Sequence, residues 1–334
     1  MNTVNLALTP VVSILWLAGC ALQPQDDPVD DGGLDQTPQA IAGAPSASEH
    51  ALDGRAAVAA EVKALGGHAI SPASLVSSWF SGSVAAGATQ HWSWNNVSLT
   101  AAYKVGLVPT GASTTALCQF QVTRTWDVQQ STGEREFHFT IKNTSDITCG
   151  ATILLAVQQR TGTWKTGGID IGTSREYQWN NANPRTAAYV VGVSPSGATS
   201  SSPCEIEVTR SWYLQQPSGE REFHFVLKNI GAIACQGDIQ LAQTTDADSS
   251  WASGDLEVGT ESTFWHNNPL DRVYVPGLSP TGASGTSACR LEMAQSTYAQ
   301  FITADGTTGH NFNFTVANIG SLACGATVLL NYLN

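Results

Sequence analysis

CQFQVTRTWDVQQSTGEREFHFTIKN, Cys118–Asn143, returns almost unchanged as CEIEVTRSWYLQQPSGEREFHFVLKN, Cys204–Asn229, an offset of 86 positions. Cys118, Phe120 and Val122 alternate with Gln119, Gln121 and Thr123, and Phe137, Phe139 and Ile141 alternate with Glu136, His138 and Thr140. A period of two puts apolar side chains on one face of a strand and polar ones on the other. QQSTGE and QQPSGE between the runs are turn chemistry, so each stretch reads as a β-hairpin with one face buried. Phe137/Phe139 and Phe223/Phe225 are then core positions. By the same parity Glu136, His138, Glu222 and His224 stand on the solvent face as an exposed charge ladder.

The similarity extends in both directions. WNNVSLTAAYKVGLVPTGAS from Trp94 matches WNNANPRTAAYVVGVSPSGAT from Trp179. A weaker third copy reads HNNPLDRVYVPGLSPTGASGTSAC from His266 and NFNFTVANIGSLAC from Asn311. Each copy opens on a Trp (Trp79, Trp164, Trp251) and closes on an apolar run: ATILLAV, GDIQLAQ, ATVLLNY. The copies occupy 77–158, 162–244 and 249–334, a length suited to a small complete domain rather than to a solenoid repeat. Six or seven short strands per copy predict an all-β protein of three tandem immunoglobulin-like antiparallel β-sandwiches. A small β-barrel is the alternative.

Seven cysteines include Cys20 near the N-terminus and two per copy. The repeat makes one pairing self-consistent: Cys118–Cys149, Cys204–Cys235 and Cys289–Cys324, with four extra hairpin residues accounting for the wider third spacing. Zinc is the rival reading, but each copy offers two thiols and at most one strand His, short of four ligands. No metal site is assigned. Each bridge closes a loop worth about 3–4 kcal/mol by the chain-entropy model. Two strands flanking a third in one flat sheet would lie nearly ~10 Å apart, beyond the reach of a disulfide. The strand after the hairpin is therefore expected to cross to the opposite sheet, unless Cys118 curls over the sheet end.

Upstream of the copies the composition changes. Leu6–Gly19 is apolar but too short for an ordinary membrane span, and it ends in Leu17-Ala18-Gly19-Cys20. This LAGC resembles the lipobox of bacterial lipoprotein signal peptides. The resemblance covers about the first 20 residues. It implies that 1–19 is removed, that Cys20 becomes the lipidated first residue, and that the protein is exported to the cell envelope. With Ala21 after the Cys, it also implies outer membrane or cell surface. An ordinary secretory signal is the alternative. Residues 20–47, rich in Pro, Gly and Asp, read as an acidic flexible tether. Residues 48–66, beginning SEHALDGRAAVAAEVKAL, read as a short Ser-capped helix ending at Gly66.

The net charge of −12 and the absence of a basic run exclude nucleic acid as a partner. For binding, one cluster recurs: Trp92, Trp94, Asn95 and Asn96; Tyr177, Trp179, Asn180 and Asn181; Trp265, His266, Asn267 and Asn268, with the aromatic of the third copy moved by one place. An aromatic face beside planar amides suits a sugar, whose C–H edges stack while its hydroxyls bond. The competing account puts one Trp of each copy in the sandwich core and uses Asn-Asn to shape a turn. Arg124 and Arg210, replaced by Gln295 in copy three, suit an Arg paired with a carboxylate or stacked on Trp126 or Trp212. Asp246, Asp248 and Asp255 read as an acidic linker, without the spacing of a known calcium loop. No nucleophile elbow, zinc-protease helix or phosphate loop is present, and no catalytic residue or cofactor is assigned. The expected function is non-enzymatic: a lipid-anchored surface binding or adhesion module, glycan-directed. The alternative is an envelope assembly component using the repeats as spacer and protein-contact surface.

Overall fold

The computed structural model describes residues 49–52, 73–95, 97–180, 182–245, 247–268 and 272–333. The expected signal peptide, Cys20, the tether, Asn96 and Asn181 lie outside the described residues. In copy one the strands are β2 (Ala73–Phe80), β3 (Thr89–Asn95), β4 (Ala101–Thr110), β5 (Cys118–Gln129), β6 (Arg135–Asn143) and β7 (Gly150–Lys165), after a short β1 (Glu49–Leu52). Copy two adds β8 (Ser174–Trp179), β9 (Ala188–Ser196), β10 (Cys204–Gln215), β11 (Arg221–Asn229) and β12 (Gln236–Thr244). Copy three adds β13 (Ala247–Leu256), β14 (Glu261–Asn267), β15 (Val273–Thr281), β16 (Cys289–Ile302), β17 (Thr308–Asn318) and β18 (Cys324–Leu333). The long β7 closes copy one and, through Arg160–Lys165, opens copy two against β12.

Each copy is a two-layer β-sandwich. In copy one β2-β7-β4 faces β3-β6-β5, and the other copies repeat that order. The first strand of each copy fills the sheet edge that the last strand takes in a seven-stranded immunoglobulin sandwich. The alternation predicts the layers correctly: Phe137, Phe139, Ile141 and their counterparts are buried in one continuous core. The hairpin turn closes through Gln130 N–H to Glu134 O and Gly133 N–H to Gln130 O, both 2.8 Å, with Gly133 at φ +88°.

All three disulfides pair as the repeat predicts, with Cα–Cα distances of 6.1, 5.6 and 5.9 Å. The strand after the hairpin does cross to the other sheet, so each bridge staples one layer to the other. Beside each bridge lies a buried Asn: Asn143, Asn229 and Asn318. The helix expected at 48–66 is corrected where the chain is described. Glu49–Leu52 is a strand, paired parallel to β3. A short isolated helix is marginal in water, whereas the open edge of β3 offers unpaired backbone groups. Asp248 and Asp255, expected in a linker, lie within β13.

The copies are not beads on a string. β5, β10 and β16 pair with one another in a cycle: Gln129 lies opposite Cys204, Gln215 opposite Cys289, and Gln300 opposite Cys118. The end of each strand thus meets the start of its counterpart in the next copy, and copy three returns to copy one. The same contact seals every junction. Ala198 N–H donates to Gln129 Oε1 (3.0 Å), Ala283 N–H to Gln215 Oε1 (3.1 Å), and Ala112 N–H to Gln300 Oε1 (2.9 Å). Residues Ser46–Asn334 form one compact unit.

Two of the three junctions carry a bidentate ion pair. Arg124 donates from Nε and Nη2 to Glu207 at 2.9 and 2.8 Å, and Arg210 to Glu292 at 2.7 and 2.6 Å. Each guanidinium also lies over its neighbouring ring, Trp126 at 5.1 Å or Trp212 at 5.5 Å. At the third junction the counterparts are Gln295 and Gln121, so both charges are replaced together. Replacing one alone would leave its partner without a counter-ion.

At the junction of copies one and two, Asp127 is buried and its carboxylate accepts the Val193 N–H at 2.9 Å. Burial pushes its pKa up to about 7, against the lesser opposing pull of that hydrogen bond. A carboxyl raised in the folded state keeps its proton where the unfolded chain loses it. The contribution of Asp127 to stability is therefore greatest at low pH and falls as pH rises from about 4 to about 7, by on the order of 2–4 kcal/mol. Asp127→Asn is expected to raise the melting temperature at pH 8 and to lose that advantage at pH 5. An Asp127→Asn gain that is the same at both pH values would contradict this.

Candidate functional site

The recurring aromatic/amide cluster separates by copy. Trp92 and Trp94 are buried, Trp94 to 2% exposure, and Trp94 meets Trp79 at 5.3 Å between ring centroids. Both are core rings and offer no platform to a ligand. Tyr177 and Trp179 are half-buried, stacked on Phe225 (5.6 Å) and Trp164 (5.8 Å). The reason is register. Trp92 and Trp94 lie opposite Phe139 and Phe137, and Tyr177 and Trp179 opposite Phe225 and Phe223, all facing inward. Asn95 is half-buried, while Asn180 and Asn267 are exposed. Asn268 is buried, its amide directed at Leu107 O of copy one (3.4 Å). His266 takes the place of Trp94 and bonds Asp248 at 2.7 Å.

Moving the third ring by one place carries it through the sheet, because side chains alternate faces residue by residue. Trp265 lies opposite Asn313 and is 65% exposed. Two cross-strand rows form the surface around it: Trp265–Asn313, ending on the buried Thr297, and Thr263–Thr315–Gln295. Thr263 and Thr315 share a hydrogen bond of 3.0 Å between hydroxyls, and Gln119 of copy one reaches Thr297 Oγ1 at 3.0 Å. These rows present hydroxyls and amides around one indole and carry no charge.

In copies one and two the same face is filled. His138 and His224, expected on the solvent face, are 7% and 5% exposed. Parity does put them on the outer side of the sheet, but Trp126 and Trp212 stack over them at 5.2 and 5.1 Å. His138 bonds His91 (2.9 Å) and Glu136 (2.8 Å), and Gln130 donates to Glu136 at 2.7 Å. His224 bonds Glu176 (2.9 Å) and Glu222 (2.8 Å). Hydrogen bonding to His138 is the leading reason that the Glu136 carboxyl lies below the usual carboxylate range. Copy three replaces Trp126, His138, His91 and Glu136 by Thr297, Asn313, Thr263 and Asn311, which uncovers the sheet.

Asn313, Thr263, Thr315, Thr297 and Gln119 escaped the sequence reading. The signal that could have found them is the joint replacement, in one copy alone, of the charges and rings at the positions of His91, Trp126, Glu136 and His138. Among the described residues no group of three or more His, Cys, Asp or Glu side chains is placed to hold a metal ion. No helix among the described residues is long and apolar enough to cross a membrane. No protein-family model matches the chain, and neither a curated protein nor a solved structure matches it. Fold and site define an all-β, disulfide-stapled protein of three sandwiches closed into a pseudo-threefold ring, with one uncovered polar face in copy three.

Proposed function

We propose that this chain is a non-enzymatic surface binding module that takes an uncharged glycan on the outer face of copy three. The observation that carries the reading is Trp265, an indole 65% exposed on a surface of hydroxyls and amides. A sugar ring would stack on the indole while Asn313, Thr263 and Thr315 exchange hydrogen bonds with its hydroxyls. One such site is weak. Lipidation at Cys20 and export to the cell surface, as the LAGC motif implies, would display many molecules on one membrane and raise avidity. An envelope assembly component using the copies as a spacer is less well supported, because the copies close into a ring instead of extending.

Trp265→Ala is expected to weaken binding on a glycan array about 10- to 30-fold, as for an aromatic anchor. Stability should move by no more than ~0.5 kcal/mol, since the ring packs against little. Trp94→Ala should do the reverse, costing about 3–5 kcal/mol through a core cavity. Undiminished glycan binding by folded Trp265→Ala would end this reading.

A further inference from the structure

The cyclic pairing of β5, β10 and β16 leaves an opening at its centre. Each strand carries a register shift at the same place, between Val122 and Arg124, Val208 and Arg210, and Met293 and Gln295. There the three strands part around a cavity of about 340 Å³ on the pseudo-threefold axis. Its mouth is open to water, since Thr123, Thr209 and Ala294 at the shifts are all exposed. Farther in lie β4, β9 and β15, which face the axis with the apolar cluster that includes Ala102, Ala188, Val190, Val273 and Val275.

One residue breaks the symmetry of that inner layer. Lys104 stands where the other copies have Val190 and Val275. It is half-buried, and no ion pair or hydrogen bond engages its ammonium among the described residues. The cavity's two carboxylates, Glu207 and Glu292, are each held by both nitrogens of an arginine. Of the cavity's three cations, Arg124 and Arg210 each hold a carboxylate, and Lys104 alone keeps an unpaired positive charge. It does so inside a chain whose net charge is −12. Loss of hydration on burial pushes the Lys104 pKa down, which marks an ammonium that gains from a counter-ion.

We propose that the axial cavity binds one small hydroxylated monocarboxylate, with its carboxylate on Lys104 and its hydroxyls on the Thr and Ser side chains of the wall. A single free cation fits a single negative charge. The wall groups, Thr125, Ser211, Ser296 and Gln295 among them, are neutral donors and acceptors suited to a polyol. The volume admits one sugar ring and excludes a polymer, so the occupant is a free sugar acid or the end residue of an acidic glycan. This site shares Gln295 with the rows around Trp265 but not the indole, and its cation is Lys104.

Calorimetric titration of the folded protein with D-glucuronate, D-glucose and a disaccharide ending in glucuronate tests the proposal. Glucuronate should bind one to one, with glucose at least about tenfold weaker, a ratio set by one charge-assisted contact. Disaccharide binding as tight as that of glucuronate would identify a glycan end, and its loss a free acid; either outcome supports the site. Lys104→Met should abolish glucuronate binding with no fall in melting temperature, because it removes an uncompensated ammonium. The titrations are run in the Trp265→Ala background, so that the face around Trp265 adds nothing to either probe's binding. Equal glucuronate binding by Lys104→Met, or binding of neither glucuronate nor the disaccharide when Lys104 is present, would overturn the proposal.

Discussion

Asn229→Ala is expected to remove about 3–5 kcal/mol of stability, the sum of three buried hydrogen bonds and the polar groups they leave behind. Asn229 is fully buried at the end of β11. Its amide donates to Ile169 O at 2.9 Å and to Ile233 O at 2.7 Å, and its carbonyl oxygen accepts the Gly231 N–H at 3.0 Å. Ile169 precedes β8, and Ile233 lies in the loop leading to Cys235. One carboxamide therefore ties both loops together beside the disulfide. Alanine strands the Ile233 carbonyl and the Gly231 N–H, and leaves Ile169 O with the Cys235 N–H alone, where protein atoms have displaced water. Asn229→Asp keeps the acceptor but loses both donors, so it should also destabilise. Thermal and urea unfolding measure the loss, and a melting temperature within about 2 °C of wild type would refute the assignment, since 1 kcal/mol moves a chain of this size by ~2–4 °C. Asn143 and Asn318 make the same contacts in their copies, so the effect should recur at each.

Gly192→Val should open the ring. A Cβ at Gly192 would stand 3.0 Å from Ala102 Cα and 3.2 Å from Ala102 Cβ. The neighbour is the backbone of β4, which cannot move without parting copies one and two. Gly106 and Gly277 make the equivalent approaches, to Val273 and Ala188, so three glycines let β4, β9 and β15 converge on the axis. Overpacking of this kind costs about 1–3 kcal/mol, and valine adds two methyl groups beyond the clashing Cβ, so at least the upper end is expected. Limited proteolysis should then cut between copies that are protected in the wild-type protein. Gly168→Ala is the control, because a Cβ there meets nothing within 4 Å. Equal protease resistance in Gly192→Val and wild type would mean that the axial contacts contribute little to closure.

Much of a single copy was legible from residues near one another in sequence. Phe137 and Phe139 announce a buried face by alternation alone, and QQSTGE announces the reversal between strands. The cysteine spacing implied both the pairing and a strand crossing between layers, because disulfide geometry is too short to span a sheet. His138 was placed on the correct side of its strand yet given the wrong environment. Strand parity says which way a side chain points and nothing about Trp126, twelve residues earlier, folding over it. The aromatic/amide cluster was found as a pattern, but its division into core rings and one exposed ring turned on the single-residue shift at Trp265.

What the sequence determined by itself is the copy: three disulfide-bearing β units, their strands, turns and inward faces, all legible from patterns inside one repeat. Only the tertiary structure decided the ring, the pairing of Arg124 with Glu207, the uncovered face around Trp265 and the position of Lys104 among valines. The ring, the ion pair and the surroundings of Lys104 depend on which surfaces of separate copies meet, and the Trp265 face on which side chains of copy three pack across its own sheet. Periodicity reports how a strand divides core from exterior, but what covers that exterior is set by neighbouring strands and, at the junctions, by residues some eighty positions away.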